Sequence, residues 1–524
     1  MYQRLLKNSI YNGFGRFGTM IVSIILTPII ISHLGDNYFA IWSLVTLVIS
    51  YIGFLDFGVS GAYSKYIAEF HAKDDLDKIN GVIISGIGLY LLISIVVVAT
   101  GLPLIQLTPK LFNIAKELQP EALTSFRIGL FVFAFASTFN VLEAIPVGLQ
   151  RMEYNNSIQV FTSILYCVAC IIYLNANGGI IGLMLIRAAD SALQIILLFI
   201  CARKILPTFR ISFKYLDVKL ARELVGFGLK VQAGKLANIG IANINKILIG
   251  TFAGLTGIAN YQIGSTIVQG VRDISMITFS GMTPMASQIH AQKRREDLLN
   301  LYHNGVRVSL VVTSAAFGLI CAIADPIIVF WTGKHYPVAV IVLISLALAN
   351  FIHVSTGTGT CLTRGIGRPG LETVFGIVLL STNLVLGWIF GRIWGIQGVL
   401  AGTLIAYFSS SLFFMYWFNR VIGFSNPQYF RKVILSPTLA LLSSLVAGWI
   451  AHQLLPSIAL SADIVNRFDA LGNIIINGSI FAFVYLAVLV TTGYIRLHHF
   501  KVVINFLANL PISKSIMSYW SKKS

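Results

Sequence analysis

Apolar runs recur along nearly the whole chain of 524 residues, and this feature constrains the fold more than any other. Each run has about 20 residues, which is enough for a helix to cross a hydrocarbon core roughly 30 Å thick. The strands of a membrane barrel would show alternating polarity instead. The composition agrees, with 56% hydrophobic and only 11% charged residues. The sequence therefore predicts an all-α polytopic membrane protein. It holds no polar stretch long enough for a soluble catalytic domain.

Turn residues divide the apolar runs into about fourteen predicted transmembrane helices. Several joints have only a few residues, among them Gly35-Asp36-Asn37, Gly254-Leu255-Thr256-Gly257 and Gly391-Arg392-Ile393-Trp394-Gly395. Because so short a joint cannot lead the chain back across the bilayer, the helices on either side of it must form antiparallel hairpins.

The distribution of basic residues predicts the orientation in the membrane. The chain has 38 Lys and Arg against 20 Asp and Glu, a net charge of +18. Most of the bases fall in alternate loops and at the two ends, for example Arg4, the run Lys293-Arg294-Arg295, and Lys522. This is the positive-inside pattern. It predicts an even number of spans with both termini in the cytoplasm, and it accounts for the positive charge without a nucleic-acid partner.

Several landmarks recur at nearly one offset, which indicates an internal repeat. Gly254 follows Gly35 by one such offset. Gly148 begins a G-x-x-R motif, and Gly365 begins a second G-x-x-R motif after nearly the same offset. Because each repeat has six spans, an even number, both halves have the same orientation in the membrane. We therefore expect two pseudo-symmetric six-helix lobes and a C-terminal helix pair. The predicted domains are an N-lobe at 1–206, a cytoplasmic connector at 207–225, a C-lobe at 226–425, and the final pair with a basic tail at 426–524.

Ionisable and polar side chains inside the spans are the candidate functional residues, since burying them in lipid is costly. They form polar stripes on equivalent helices of the two lobes. The bases are Arg16, Lys235, Arg272, Lys246 and Arg187, and the expected polar lining is Asn12, Thr19, Asn238 and Gln269. Two lobes that present these bases to each other would enclose a hydrated cavity for an anion. As an alternative, Arg272 and Arg187 pair with Asp273 and Asp190 as structural clasps.

Acidic residues suggest how transport could be coupled to an ion. Asp56 and Asp273 occupy matching repeat positions and are candidates for ion coupling, although a role as permanent counter-ions is equally open. The run Asp74-Asp75-Leu76-Asp77 is interpreted as a solvated helix start rather than a metal site. His353, beside Asn350 and Thr356, could titrate near neutral pH, but it is interpreted as a hydrogen-bonded packing residue. The sequence contains no recognisable catalytic residue, metal site or cofactor motif, so we expect a protein that is not an enzyme.

One amino-terminal stretch resembles a known family. It comprises Asn12-Gly13, Thr27-Pro28, the segment from Leu34 to Trp42, and Leu55-Asp56-Phe57-Gly58-Val59. These motifs resemble the Wzx-type flippases of O-antigen and polysaccharide repeat units, within the multidrug/oligosaccharidyl-lipid/polysaccharide (MOP) exporter superfamily. The resemblance implies two V-shaped lobes, as in the MATE transporters of that superfamily, that work by alternating access in a bacterial cytoplasmic membrane.

The resemblance also implies a substrate, namely undecaprenyl-pyrophosphate that carries a short oligosaccharide. A polysaccharide polymerase and a chain-length regulator are the protein partners we expect, beside membrane lipid. In related flippases, bases on the first, second and eighth helices line the cavity. Here Arg16 and Arg272 match that description, whereas the second helix has Asp56.

Two other functions remain open. A multidrug and toxin extrusion antiporter exports cations and would favour an acidic cavity. A membrane-integral polysaccharide polymerase would act on the same lipid, but such enzymes carry a large external loop with catalytic groups.

Overall fold

A computed structural model describes residues 2–52, 59–149, 151–207, 209–210, 212–276, 279, 282–368, 370–425, 433–454 and 467–494. Within these ranges, the side chains of 2–17, 19–20, 48–52, 59–61, 72, 213, 227–242, 284 and 451–454 lie outside the description. The described part is all-helical, without a strand.

The helices follow one another with short connections. The N-lobe contains α1 (Tyr2–Ile52), α2 (Val59–Ala72), α3 (Leu76–Ile105), α4 (Thr108–Leu111), α5 (Gln119–Thr138), α6 (Val141–Gly148), α7 (Met152–Asn175) and α8 (Ile180–Ile205). The C-lobe contains α9 (Val218–Met276), α10 (Met282–Ala291), α11 (Arg295–Ala322), α12 (Ala324–Thr332), α13 (Pro337–Ser355), α14 (Gly357–Gly365) and α15 (Gly370–Ile422), and α16 (Leu435–Leu454) and α17 (Arg467–Thr491) follow.

Three of these helices are too long to cross a bilayer once. A straight helix of 53 residues, the length of α15, would extend about 80 Å. Each is broken by a glycine with positive φ, at Gly35 (80°), Gly254 (60°) and Gly395 (58°). The two halves of α15 pack against each other, because a Cβ on Gly402 would lie 2.7 Å from the backbone nitrogen of Gly387. These breaks fall at the predicted joints, and the hairpin at Gly395 is confirmed.

The described chain includes nine helices that are long and apolar enough to span a membrane. The fold class is therefore confirmed as an all-α polytopic membrane protein, and the number of fourteen spans stays a prediction.

The internal repeat is visible in matching contacts of the two lobes. The last residue of α6, Gly148, sits against Ile67 and the carbonyl of Ser64 in α2. The last residue of α14, Gly365, sits against Ala286 and the carbonyl of Thr283 in α10. Thr283 follows Ser64, and Ala286 follows Ile67, by the same offset that separates the glycine breaks of α1 and α9. Because equivalent glycines meet equivalent neighbours, the two lobes repeat one packing scheme.

The connector between the lobes is anchored to the N-lobe. Helix α9 begins at Val218, inside the range 207–225 predicted for the connector. The backbone N–H of Asp217 donates to Ser85 in α3 (2.8 Å), and that of Arg210 donates to Asn80 (3.0 Å). The first turns of α9 pack with α2 and α3 through Leu220 and Leu224. The first turns of α9 thus pack with the N-lobe, and the exact boundaries of the lobes stay a prediction.

The C-terminal pair packs on the C-lobe. Gly318 of α11 lies directly against Leu441 of α16 and Phe481 of α17. The hydroxyl groups of Ser314 and Tyr485 are 2.6 Å apart, and Tyr485 also donates to the carbonyl of Val311 at 3.0 Å. These contacts fix the appended helices to α11.

Candidate functional site

The two lobes meet near the glycine breaks of α1 and α9. Three hydrogen bonds cross between the lobes: Tyr336 Oη donates to Asp36 Oδ1 (2.7 Å), Ser43 Oγ donates to Gln262 Oε1 (3.0 Å), and Trp331 Nε1 donates to the carbonyl of Ile24 (2.7 Å). We call this set of contacts the interlobe gate. Burial, with the hydrogen bond and charge of Asp36, raises the pKa of Tyr336 above its ordinary value, so the phenol keeps its donor proton at neutral pH.

The tryptophan contact has a local cause in the sequence. In a regular helix the carbonyl of Ile24 would accept from the N–H of residue 28, but residue 28 is a proline without that group. Trp331 supplies the missing donor from the other lobe. The proline of the Thr27-Pro28 motif thus leaves the carbonyl of Ile24 free to accept a hydrogen bond in the gate.

The gate obeys the internal symmetry of the chain. The separation of Ser43 and Gln262 along the sequence equals the repeat offset, so a hydrogen bond between them lies on the pseudo-two-fold axis. Phe112 and Trp331 are separated by the same offset. Phe112 of the N-lobe packs over Gly250 in α9, where a Cβ would lie 2.7 Å from its ring, and Trp331 of the C-lobe reaches α1. Each lobe therefore contributes one aromatic residue that closes on the other lobe.

The face of α9 that binds the N-lobe at Gln262 becomes exposed farther along the helix. Gln262, Thr266, Gln269 and Asp273 follow one another on one face of the helix, within about 60° around its axis. Gln262 is bound to the N-lobe and Thr266 is buried, whereas Gln269 and Asp273 are exposed. We call the exposed part of this face, beyond Thr266, the interlobe vestibule. In the predicted topology, this open side faces the cytoplasm.

Lys246 lies on the side of α9 that faces the N-lobe. It is one helical turn before Gly250, the residue covered by Phe112. Its side chain is partly exposed and forms no salt bridge with any described residue. About two helical turns, roughly 12 Å along the axis, separate it from the break at Gly254. This position puts an unpaired base near mid-membrane depth, and its role in the substrate cavity stays a prediction.

Arg272 lines a cavity whose described lining residues all belong to the C-lobe. The cavity measures about 180 Å³. Its lining includes Arg272, Phe279, His353, Thr356, Thr360, Arg364, Glu372 and Phe375. The Arg364 guanidinium donates to both oxygens of Glu372 at 2.8 and 3.0 Å. Because Glu372 is already paired, and Arg272 has no ion pair among described residues, the cavity keeps an excess positive charge.

His353 forms one wall of the same cavity. Its ring stacks on Phe375 at 5.5 Å and meets Tyr407 edge-on at 5.2 Å. These ring contacts agree with a packing role for His353, but its buried Nδ1 has no hydrogen-bond partner in the described structure, so the predicted hydrogen bond is not seen at this atom.

The structure does not place all the predicted bases in one cavity. Arg187 donates to Asp190 at 2.9 Å and lies over the ring of Tyr166. This is the structural clasp that the sequence analysis gave as the alternative for Arg187, and a role of Arg187 in substrate binding stays a prediction. The other clasp, between Arg272 and Asp273, is not formed in the described structure. Lys246 and Arg272 are also separate, because only Arg272 lines the C-lobe cavity.

Several predicted site residues stay predictions. Asp56 and the side chains of Asn12, Arg16, Thr19, Lys235 and Asn238 lie outside the described residues. Asp273 is exposed on the vestibule face beside Gln269, where a role in ion coupling remains a prediction. Sequence reasoning missed the gate residues, because it searched for charges. Of the three gate contacts, only the Ser43–Gln262 bond joins residues that the repeat offset relates.

A comparison with protein families decides the classification. The model of a family described as "Polysaccharide biosynthesis protein" matches residues 5–272, just over half of the chain. The chain belongs to this family. The match covers α1 to α8 and α9 as far as Arg272, which includes the residues on both sides of the Ser43–Gln262 bond. The sequence resemblance to MOP-type polysaccharide flippases is thereby confirmed.

Relatives and solved structures agree with this family. A Bacillus subtilis protein named "Uncharacterized membrane protein EpsK" is 19% identical over 89% of this chain and 91% of its own length. The "Probable low-salt glycan biosynthesis flippase Agl15" of Haloferax volcanii is 20% identical over 40% of this chain and 45% of its own.

Among solved structures, an inward-facing multidrug resistance MATE transporter of the MOP superfamily gives a TM-score of 0.66 at 18% identity, over 77% of this chain and 94% of that one. A MOP superfamily transporter from Pyrococcus furiosus, described as having a binding pocket of reverse polarity, gives a TM-score of 0.56 at 18% identity, over 80% and 95% of the two chains. The overall fold of this member of the family is thus that of MOP superfamily transporters.

Proposed function

We propose that this family member is a flippase that moves undecaprenyl-pyrophosphate-linked oligosaccharide repeat units from the cytoplasmic to the periplasmic leaflet of a bacterial inner membrane. Its product would supply O-antigen or capsule synthesis, in which a polysaccharide polymerase and a chain-length regulator act next. Both termini would lie in the cytoplasm. The protein would break and form no covalent bond, so this activity requires no catalytic residue.

The observation that carries the proposal is the uncompensated Arg272 in the C-lobe cavity. A base inside a membrane protein without an acidic partner is unfavourable unless an anion satisfies it. The one carboxylate that lines this cavity among the described residues belongs to Glu372, which is already bound by Arg364. A pyrophosphate is an anion that guanidinium groups bind in two-pronged geometry. Lys246 offers a second base farther from the open side.

The gate and the vestibule support an alternating-access cycle. Near the glycine breaks the lobes are joined by hydrogen bonds and by an apolar cluster that α1 shares with α9 and α13. Farther along α9, Gln269 and Asp273 are exposed, and we infer that the lobes separate there. A substrate could enter from the open side, after which the gate would open and the opposite ends of the lobes would close. The lipid tail could remain in the bilayer while the headgroup crosses in the polar vestibule.

Multidrug extrusion is the second candidate. The fold likeness to MATE transporters and the exposed Asp273 in the vestibule favour it. A cation exporter would depend on Asp273 and would tolerate loss of Arg272, whereas a flippase of anionic headgroups would show the opposite dependence. Dye efflux by expressing cells measures the first activity directly.

The test is complementation of a deletion strain with variants present at equal membrane abundance. The strain itself should accumulate lipid-linked repeat units on the cytoplasmic leaflet, and mass spectrometry of the trapped glycan would identify the sugars. Arg272→Ala removes hydrogen bonds to a charged group, so we expect at least about tenfold less surface polysaccharide. Lys246→Ala should also reduce it.

Arg392→Ala is the matched control, because Arg392 is exposed beside Trp388 next to the break at Gly395. It removes the same charge and should leave polysaccharide unchanged. Normal polysaccharide in both the Arg272 and Lys246 variants would refute the proposal.

A further inference from the structure

The two lobes contain the same helix-to-helix turn at equivalent positions. In the N-lobe, Asp74 has φ 52° and the N–H of Asp75 donates to the carbonyl of Phe70. In the C-lobe, Lys293 has φ 57° and the N–H of Arg294 donates to the carbonyl of Ile289. Asp75 and Arg294 are separated by the repeat offset and have nearly the same backbone angles, φ −89° and ψ 79° against φ −87° and ψ 79°. The turns therefore differ in side-chain chemistry and not in backbone shape.

The N-lobe turn is built for helix stability. Asp75 accepts from the N–H of Lys78 at 3.1 Å and so caps α3. The Lys78 side chain, which bonds to the same carboxylate, lowers the pKa of Asp75 and keeps the cap ionised. Acidic residues suit a helix N-terminus because they interact favourably with its dipole. The interpretation of this acidic run as a solvated helix start is confirmed.

The C-lobe turn gives up that stability. Arg294 occupies the cap position of α11 and forms no side-chain capping hydrogen bond. It pairs instead with Asp297, and its neighbours in the turn are Lys293 and Arg295. The bases themselves are unfavourable at a helix N-terminus, although Glu296 and Asp297 in the first turn of α11 compensate part of their charge. Their placement is accounted for if they serve an anion outside the protein.

These bases line a cleft that is distinct from the C-lobe cavity. It measures about 470 Å³ and lies where α10, α11, α14 and α15 end or begin. Its charged lining is His290, Lys293, Arg294, Arg295 and Arg368, and its apolar lining is Leu298, Leu299, Ile366, Val421 and Ile422. We call it the basic cleft.

Not all the bases of the basic cleft are occupied. Arg295 donates to the carbonyl of Ile422 at 3.4 Å, which anchors it to α15, and Arg294 is paired with Asp297. Lys293 and Arg368 are exposed and form no salt bridge within the part of the chain that the structure describes. The cleft thus offers two free positive charges above an apolar wall.

We propose that the basic cleft binds the phosphate of an anionic phospholipid in the leaflet that surrounds this end of the protein. The cleft lies at the ends of membrane-spanning helices, on the side predicted to be cytoplasmic, so it is level with lipid headgroups. Free bases attract the phosphate, and the leucine and isoleucine wall suits the apolar start of the lipid chains. A soluble phosphate would use the bases but gain nothing from that wall. This site is separate from the substrate site and does not depend on the proposed transport.

The test measures lipid binding to the full chain purified in detergent, by native mass spectrometry with phosphatidylglycerol and phosphatidylcholine. The double variant Lys293→Gln with Arg368→Gln should bind phosphatidylglycerol about 25-fold more weakly, because the loss of each base should weaken binding about fivefold. The control is Lys73→Gln with Arg151→Gln, which removes the same charge at the equivalent end of the N-lobe and should leave binding unchanged. The charge-preserving exchange Lys293→Arg with Arg368→Lys should restore affinity and excludes misfolding as the cause.

Three results would overturn the proposal. The first is an equal loss in the control pair, which would mean diffuse attraction to a positive surface. The second is equal binding of phosphatidylcholine, and the third is displacement of phosphatidylglycerol by an equal concentration of inorganic phosphate, which would make the ligand a soluble anion.

Discussion

Replacing Tyr336 by Phe removes one hydroxyl group from the interlobe gate and leaves the ring in place. The hydroxyl donates to Asp36 at 2.7 Å, across the boundary between the lobes. A hydrogen bond to a charged group contributes about 1.5–3 kcal/mol. The lower value applies because Asp36 is only partly buried. The variant should therefore raise the ratio of open to closed gate by roughly tenfold.

Distances between spin labels would measure this ratio. Asn37 and Lys334 are exposed residues on either side of the gate, and cysteines there would carry the labels. We expect a short distance to dominate in the parent protein and a second, longer distance to gain population in the Tyr336→Phe variant. The longer distance should be the one that added substrate also favours.

Tyr302→Phe is the matched control for the same assay. The hydroxyl of Tyr302 donates to Asn419 at 2.8 Å, but both residues belong to the C-lobe. The control should lower stability by about 1 kcal/mol and leave the distances unchanged. The account of the gate would be wrong if Tyr336→Phe left the distances unchanged too, or if Tyr302→Phe shifted them equally.

Two further pairs of variants test the repeat itself. Asp75→Ala should destabilise the protein by about 1 kcal/mol through loss of the cap, and Arg294→Asn should stabilise it by up to about 1 kcal/mol. Thermal melting in detergent measures both changes. A loss of stability in Arg294→Asn would contradict the comparison of the two turns. Gly148→Leu and Gly365→Leu should each destabilise by about 1–3 kcal/mol, because added Cβ atoms would lie 2.9 and 2.5 Å from their neighbours. Yield and size-exclusion profiles measure that effect, and normal behaviour of either variant would show that the lobes do not share the packing.

Much of the fold could be predicted from the sequence because bilayer thickness fixes helix length. The breaks at Gly35, Gly254 and Gly395 were visible as short joints between apolar runs, and each adopts the positive φ that glycine allows. The repeat was visible because those landmarks recur at one offset. The local clasp between Arg187 and Asp190, one turn apart on the same helix, was also among the predicted alternatives.

The arrangement of the site could not be predicted in the same way. Helical periodicity tells which residues share a face, but not which neighbour that face meets. The C-lobe residues that surround Arg272 in its cavity could therefore not be named from the sequence. The hydrogen bond between Ser43 and Gln262 joins two neutral residues. Such residues cost less to insert into a membrane than charged ones, so a search for charges does not find them. The importance of this bond comes from the symmetry axis, which exists only when the two lobes are packed together.

Reconstitution tests the central claim most directly. The purified protein would be placed in vesicles that contain a lipid-linked oligosaccharide in both leaflets, and an added glycosidase would report how much of the sugar reaches the outer surface. The account predicts that the glycosidase digests nearly all the lipid-linked sugar with the parent protein, and only the outer-leaflet share with Arg272→Ala. If the parent protein also exposed only the outer-leaflet share, or if Arg272→Ala matched the parent, the cationic cavity would not be the path of a phosphorylated headgroup.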